Sequence, residues 1–344
     1  MKISICIPQY NRINYLLRSL TIIEEQTYSD IEIVISDDCS TDETEIMIKE
    51  LTPRYKYPII FNKNEKNEGY DRNYRKCIEL ATGEYAFVIG NDDTIYGKQS
   101  ISFLVNFLRL NNFPDVGFCN MIEERTNNTL IERAAATKVI GKGPDVATKY
   151  YSCFSFVGGL IYKISTFNKF NTAKYDGSIY AQMYLGVLMI ASGNSLFSIK
   201  EPLVLKDLLL EGKFRSSYRD RIAKKWIDFK IVDGGLPSVM NVLINALADA
   251  GALTQKRALF IFKRMYSITY PHWILDYKEN NALPEAFGLT AGMYPVRNKN
   301  LSLLRWYNKL FIVGLYSSTS IAALITPVFL FKKMKTFLYQ YFKR

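Results

Sequence analysis

The chain has 344 residues, 48% hydrophobic and 22% charged, and its 44 Lys and Arg against 33 Asp and Glu give a formal charge of +11. That is enough apolar chain for one large domain or two ordinary ones, which excludes a disordered tail, and the positive excess points to an anionic partner: nucleic acid, a membrane surface or a phosphorylated substrate. Five scattered cysteines without a CxxC pair, and His272 as the single histidine, argue against zinc and a Ser-His-Asp triad and for a reducing compartment.

The N-terminus, Met1-Lys2-Ile3-Ser4-Ile5, has no long apolar segment behind its charge, so the domain is expected to begin without a signal peptide. Residues 2–8 are apolar and β-branched and stop at Pro8, predicting a central strand followed by the loop Gln9-Tyr10-Asn11-Arg12. Residues 13–26 place Leu16, Leu17, Leu20 and Ile23 at helical spacing, and residues 31–36 form a second strand ending in Asp37-Asp38. Capping residues from Ser40 open a helix that runs to about Leu51. A short strand at 58–61, a polar loop at 67–73 and a helix at 74–81 follow.

The organising stretch is 84–96, where the apolar run 85–89 is cut off by Gly90 and then by Asp92-Asp93. Strand tips are where open α/β sheets bind ligands. Two carboxylates there, with no His or Cys nearby, suit a hard divalent cation that bridges to phosphates; Gly-Asn-Asp-Asp is equally good turn chemistry. A helix at 99–110 and a strand at 116–121 complete an alternating pattern that predicts a doubly wound, mostly parallel sheet, with both acidic tips on one edge. Residues 123–147 are polar and less patterned. The stretch 155–162 reads as a strand with a glycine pair, 179–191 as a helix, and 196–205 as a strand broken at Glu201-Pro202.

From Arg215 the chain is expected to be a helical appendage, heavily charged over 215–230, in which Pro271 breaks a helix and His272 is structural. Residues 310–331 carry no charge and are flanked by Arg305, Lys309, Lys332 and Lys333, with Trp306 and Tyr307 beside them. The segment fits either in-plane contact with an anionic membrane surface or a packed helical hairpin, the first being preferred.

Three motifs, 5–12, 36–42 and 67–93, resemble in order and spacing the nucleotide-sugar domain of family 2 glycosyltransferases of the GT-A fold, over about residues 1–210. Gly90-Asn91-Asp92-Asp93 and Phe156-Val157-Gly158-Gly159 are similar to bacterial O-antigen enzymes of the abequosyltransferase kind. The resemblance implies a nucleotide-sugar and catalytic domain over 1–212 and a helical acceptor- and membrane-associating region over 213–344. Pro8, Gln9, Tyr10 and Arg12 would border the base and ribose, Asp38 would accept from the base, and Arg72 would neutralise diphosphate. Asp92 and Asp93 would hold Mg2+ or Mn2+ against that diphosphate.

Gly90 replaces the first acid of the family's usual D-x-D-D. Ala181-Gln182 stand where many members carry a Glu-Asp pair, so the base falls to Asp176, for which a surface-turn role is an equal alternative.

The implied activity is transfer of a sugar, of which a deoxy- or dideoxyhexose is one candidate, to a polyprenyl-diphosphate-linked saccharide at the cytoplasmic face of a bacterial inner membrane. The competing readings are a nucleotidyltransferase, disfavoured because no glycine-rich basic loop follows the first strand, and a non-catalytic nucleotide-binding protein. Nucleic acid is not expected as a partner, since the basic residues sit beside aromatic and apolar stretches instead of in a recognised nucleic-acid module.

Overall fold

The computed structural model describes residues 1–211, 236–331 and 333, and the chain divides into two compact units, Met1–Arg215 and Ser216–Arg344. The charged stretch 215–230, the expected boundary at 212/213 and the basic aromatic tail beyond 333 lie outside the described residues.

In the first unit, β1 (Ile3–Gln9), β2 (Ile31–Asp37) and β4 (Tyr85–Val88) are buried along nearly their whole length. Strands buried on both faces read as continuous apolar runs, which is why these three are legible in the sequence. With β3 (Ile59–Lys63) they form a parallel set, reached through α1 (Ile13–Ile23), α2 (Thr44–Leu51) and α3 (Tyr70–Glu79). After β5 (Thr94–Ile95) and α4 (Ser100–Leu110) come β6 (Val116–Glu123), β7 (Thr129–Ile131) and β8 (Lys138–Lys142). The unit continues with α5 (Pro144–Tyr150), β9 (Leu160–Lys163), α6 (Ile164–Phe170), α7 (Ala181–Ala191) and β10 (Ser195–Lys206).

All ten strands belong to one sheet, in the order β3-β2-β1-β4-β9-β6-β10-β5, with β7 on β6 and β8 on β10. Strands β3, β2, β1, β4, β6 and β10 run one way, and β9 is inserted antiparallel between β4 and β6. The expected doubly wound, mostly parallel sheet is therefore present, and the C-terminal ends of β1, β2, β4, β6 and β10 share one edge.

Several boundaries differ from expectation. Glu201-Pro202 does not break β10; the strand absorbs the proline through register shifts between Ile199 and Val204 and stays paired with β6. The unpatterned stretch holds β7, β8 and α5, whose short strands pair on one side only and so need no apolar run. Helix α3 starts at Tyr70, four residues early, because Gly69, at φ +89°, turns the chain directly into it.

A buried glutamate ties β1, β2 and the entry to β4. Glu32 accepts from Ser4 Oγ (2.7 Å), Thr82 N (2.6 Å), Thr82 Oγ1 and Gly83 N (3.2 Å), with Lys2 at 3.6 Å. Burial opposes its charge, but the Ser4 and Thr82 hydrogen bonds and Lys2 outweigh burial and lower its pKa.

The second unit is helical: α8 (Leu236–Asp249), α9 (Gln255–Arg264), α10 (Tyr270–Glu279), α11 (Leu283–Gly292) and α12 (Trp306–Ile325). Pro271 does not break the helix. A π turn over Met265–Thr269 joins α9 to α10, so the proline falls in the first turn of α10, where its missing N–H costs nothing. The His272 ring packs edge-on to Phe331 at 5.6 Å, a structural place. Helix α12 is held to its unit by Tyr270 Oη and Ser320 Oγ (2.7 Å), by Tyr316 Oη donating to Thr290 O (2.7 Å), and by Lys278 Nζ, which caps its end at Ala323 O (2.9 Å) and Thr326 O (2.7 Å).

Glu32→Ala removes the acceptor of Ser4 Oγ, Thr82 N and Thr82 Oγ1, while Gly83 N keeps Ser4 Oγ (3.0 Å), and is expected to destabilise the first unit by about 3 kcal/mol at pH 7 in urea unfolding. Because its folded pKa is lowered, the contribution of Glu32 is complete above its ordinary value of 4.5 and is lost as the pH falls through the lower folded value. The gap between wild type and variant should accordingly narrow in acid.

Candidate active site

The site is assembled on the shared edge from the tips of β1, β2, β4, β6 and β10. At the tip of β4, Gly90 N donates to Asp93 Oδ2 (3.2 Å), and Asp207 N, just past β10, donates to Asp93 Oδ1 (3.1 Å). Asp93 is buried, and Asp92 lies across from Arg12, whose guanidinium Nη1 is 2.5 Å from Asp92 Oδ2. The Arg12 guanidinium also lies 5.2 Å from the Tyr15 ring. Burial, and then the charge of Asp92, push the Asp93 carboxyl up to about 7.

Two glycines make room for these carboxylates. A Cβ on Gly90 would lie 2.8 Å from Asp93 Oδ2 and 3.2 Å from Asp92 Oδ1, and one on Gly158 would lie 2.6 Å from Asp93 Oδ2. A side chain at position 90 would therefore displace the two acids that follow it. The glycine pair at 158–159 precedes β9 instead of lying within a strand as expected, and Arg133 holds it there by donating to Gly158 O (2.7 Å), Cys119 O (3.0 Å) and Cys153 O (3.1 Å).

Asp38, at the tip of β2, is buried and accepts from Asn64 Nδ2 (3.1 Å), Glu68 N (2.8 Å) and Gly69 N (2.9 Å). A carboxylate has about four lone-pair positions, so one acceptor direction remains. Gln9 is fully buried, with its Nε2 on Thr44 Oγ1 (3.0 Å), its backbone O on Asn73 Nδ2 (3.1 Å) and its Oε1 without a protein partner. Asn11 Oδ1 binds Thr41 N (2.7 Å), fastening the β1 loop to the β2 loop, while Pro8 is half-buried and Tyr10 exposed beside it. Arg72 is on α3, half-buried, near Glu68 (3.4 Å) and Glu79 (3.8 Å).

Asp176 sits in a different cluster. Its two oxygens accept from Arg75 Nε (2.8 Å) and Nη2 (2.5 Å), and Arg75 also binds Glu79 and Asn171. This is a bidentate ion pair that fixes a segment to α3. Beside it, the buried Asp71 accepts from Ile179 N (2.7 Å) and Ala181 N (3.1 Å), and burial raises its carboxyl to about 6. Ile179, expected as the first residue of a helix, has φ +60°, a conformation a β-branched residue adopts only under constraint, and α7 begins two residues later.

Sequence reasoning missed four charged residues at this edge, Glu123, Arg125, Lys206 and Asp207. Lys206 Nζ lies 2.5 Å from Asp207 Oδ2 and 3.3 Å from Glu123 Oε1, and Arg125 Nη2 is 2.9 Å from Glu123 and 3.5 Å from Asp207. Burial opposes the charge on Glu123, yet Asp207, Thr126, Lys206 and Arg125 hold its carboxyl at about 2; burial raises that of Asp207. The signal was available, since Glu123 and Lys206-Asp207 are strand ends of the same kind as Asp37-Asp38.

The donor set fits a hard divalent cation in part. Asp92 and Asp93 offer oxygens whose mutual repulsion a cation would relieve. Among the described residues no three His, Cys, Asp or Glu side chains converge to hold a metal ion, so the rest of a coordination shell falls to diphosphate oxygens and water.

Comparison with known proteins bears on the same edge. A family model described as Glycosyl transferase family 2 matches residues 4–160. Abequosyltransferase RfbV of Salmonella typhimurium (strain LT2) is 32% identical over 230 residues, 60% of this chain and 66% of that protein. The GalNAc(5)-diNAcBac-PP-undecaprenol beta-1,3-glucosyltransferase of Campylobacter jejuni is 27% identical over 160 residues, 46% of this chain and 49% of that protein. Staphylococcus aureus TarS 1-349 in complex with UDP has a similar structure, with a TM-score of 0.60 at 16% identity, covering 94% of this chain and 89% of that one. The fold is accordingly GT-A, and the chain spans less than two thirds of the length of either curated relative.

Because the folded pKa of Asp93 is raised, its stabilising contribution is full below its ordinary value of 3.8 and is lost as the pH rises through about 7. Asp93→Asn, which never ionises, should therefore melt at a higher temperature than wild type at pH 8 in EDTA, with the gap closing towards pH 4. Thermal melts across that range check this.

Proposed function

We propose, from the match of residues 4–160 to a family model described as Glycosyl transferase family 2 and from the geometry of the sheet edge, that the chain transfers a sugar from a nucleotide-sugar donor to a polyprenyl-diphosphate-linked saccharide. The observation that carries this reading is the placement of Asp92-Asp93 after β4 and of Asp38 after β2 along one sheet edge, flanking β1. It supplies an acceptor for a base and an anionic seat for a metal–diphosphate within one domain.

In this reading Pro8, Gln9, Tyr10 and Asp38 bound the base and ribose, the last acceptor direction of Asp38 being the one left for the ring. Arg12, beside Asp92, and Arg72 serve the diphosphate. Asp92 and Asp93 hold Mg2+ or Mn2+, which when bound stabilises negative charge on the departing nucleoside diphosphate. Asp176, with both oxygens on Arg75, positions the segment leading into α7 and is not read as a proton acceptor. The likeness to the Salmonella protein favours a deoxy- or dideoxyhexose as the sugar, and the printed name of the Campylobacter relative favours a polyprenyl-diphosphate acceptor used in surface polysaccharide synthesis.

The second unit is read as the membrane- and acceptor-facing part, at the cytoplasmic face of a bacterial inner membrane. Helix α12 is long and apolar enough to cross a membrane, the one such helix among the described residues. It exposes Trp306, Leu310, Phe311, Ile321 and Ile325 while burying Ile312, Ser320 and Ala323 within its own unit. Its hydroxyls do not compete with this: Ser317, Thr319 and Ser320 donate to Val313 O (3.0 Å), Leu315 O (2.8 Å) and Tyr316 O (2.6 Å) of the same helix. One apolar face outward and one face bonded to its unit favour in-plane contact over a span.

Incubating the full-length protein with UDP-, GDP-, CDP- and dTDP-sugars in Mg2+ or Mn2+ should give binding and turnover of one donor class. Asp92→Ala or Asp93→Ala should lower turnover at least ~100-fold, in the range typical of losing a preorganised charge-stabilising group. No binding of any donor, or unaltered turnover in both variants, would refute the reading. Separately, the double variant Leu310→Glu/Ile321→Glu should lose co-sedimentation with anionic phospholipid vesicles while still binding nucleoside diphosphate; retained sedimentation would remove α12 from the membrane contact.

A further inference from the structure

Two acidic pairs neighbour each other on the sheet edge: Asp92 and Asp93 after β4, and Glu123 at the end of β6 with Asp207 after β10. The Asp207 N–H donates to Asp93 (3.1 Å), and the charges of Asp207 and Lys206 both act on the Asp93 carboxyl, so the pairs share one electrostatic environment although they do not converge on a single point. A second hydrogen bond, from Leu208 N to Asp92 O (2.8 Å), fixes the same two loops together. A donor diphosphate approaching this edge brings further negative charge, so the cluster needs positive charge both before and after the donor arrives.

Among the described residues, Lys206 bears on both pairs, touching Asp207 and Glu123 and acting by its charge on Asp93. Its ammonium lies between Asp207 and Glu123, at 2.5 Å and 3.3 Å, and 5.8 Å from the Phe156 ring, on a side chain that is 15% exposed. Its backbone is fixed by pairing with Glu123 across β6 and β10. Only the four-carbon stem can redirect the charge. Arg12 and Arg125 approach the same acids from the flanks, on Asp92 and on Glu123. A lysine ammonium is a compact charge with three rotatable donors, able to exchange one anionic partner for another without the fixed fork of an arginine.

We propose that Lys206 is the resident cation of this cluster, holding the place of positive charge in the free protein and passing to the donor diphosphate when a divalent ion enters. The diphosphate half of this inference rests on the glycosyltransferase reading; the competition with metal rests on the cluster alone. Two consequences of opposite sign follow. The free protein binds a divalent ion weakly, because the ammonium already neutralises the acids, and without metal the same ammonium lowers the negative charge that a nucleoside diphosphate meets at this edge, so affinity in EDTA falls when that charge is removed. A lysine that merely supported the fold would, when removed, weaken both.

Mn2+ binding to the full-length protein alone, followed by electron paramagnetic resonance, is set beside calorimetric titration with UDP, CDP, GDP and dTDP in EDTA. Lys206→Met should bind Mn2+ at least ~10-fold more tightly than wild type, as removal of a close charge from a partly buried cluster requires, and should lose at least ~10-fold in affinity for whichever nucleoside diphosphate the wild type binds. Lys206→Arg should leave Mn2+ binding near wild type. Lys206→Gln, close in size and still able to donate to Asp207, gives the same comparison should the methionine variant not fold. Unchanged or weaker Mn2+ binding in the neutral variants overturns the proposal. If the wild type binds none of the four diphosphates with or without Mn2+, the glycosyltransferase reading and the diphosphate half fall together, while the Mn2+ comparison still decides the other half.

Discussion

The constraint on which the first unit depends is the repulsion between carboxylates confined to one edge of a buried sheet. Asp92 and Asp93 are adjacent in sequence, and Asp93 is withdrawn from water, so neither solvent nor distance relieves them. Relief comes from backbone amides at Gly90 and Asp207, from Arg12, and from the absence of a side chain at Gly90 and Gly158. Each of these is a local sacrifice of ordinary folding preference, and their gathering at one place marks a region shaped for charge binding more than for stability.

The parts of the fold that were legible in the sequence are those whose residues answer to a single environment. Strands β1, β2 and β4 are enclosed on both faces and so are written as unbroken apolar runs, and α1 shows its buried stripe at Leu16, Leu20 and Ile23. Strands β7 and β8 carry no such signature, because each pairs with one neighbour and keeps polar residues. Pro202 and Pro271 misled for a common reason: a proline forbids one hydrogen bond, and a bulge in the first case and a π turn in the second remove the need for that bond. In the site, residue types at strand tips were readable, but side-chain direction was not. Nothing in the order of residues says that Arg12 turns to Asp92, that Asp176 is claimed by Arg75, or that Lys206 lies among acids.

The second unit solves a different problem, how to keep a long apolar helix at an outer face. Helix α12 folds its hydroxyls back on its own carbonyls and takes a lysine cap at its end. Its polar groups are thus satisfied before it meets any partner, which lowers the cost of placing its outer face against a medium that cannot hydrogen-bond. Tyr266, Tyr270 and Tyr316, with ring centroids 5.6 to 5.9 Å apart, give the inner face a firm aromatic bed.

Helix α3 has a place in the molecule that its ten residues understate. The loop at its start is held by Asp38, Asn73 reaches back to the end of β1, and Asp71 and Arg75 grip the chain that enters α7. It works as a jig: within its first two turns it fixes the loop after β3 and the chain entering α7 to one rigid segment. The two loops therefore keep one mutual alignment, and a shift imposed on either is felt by the other through α3.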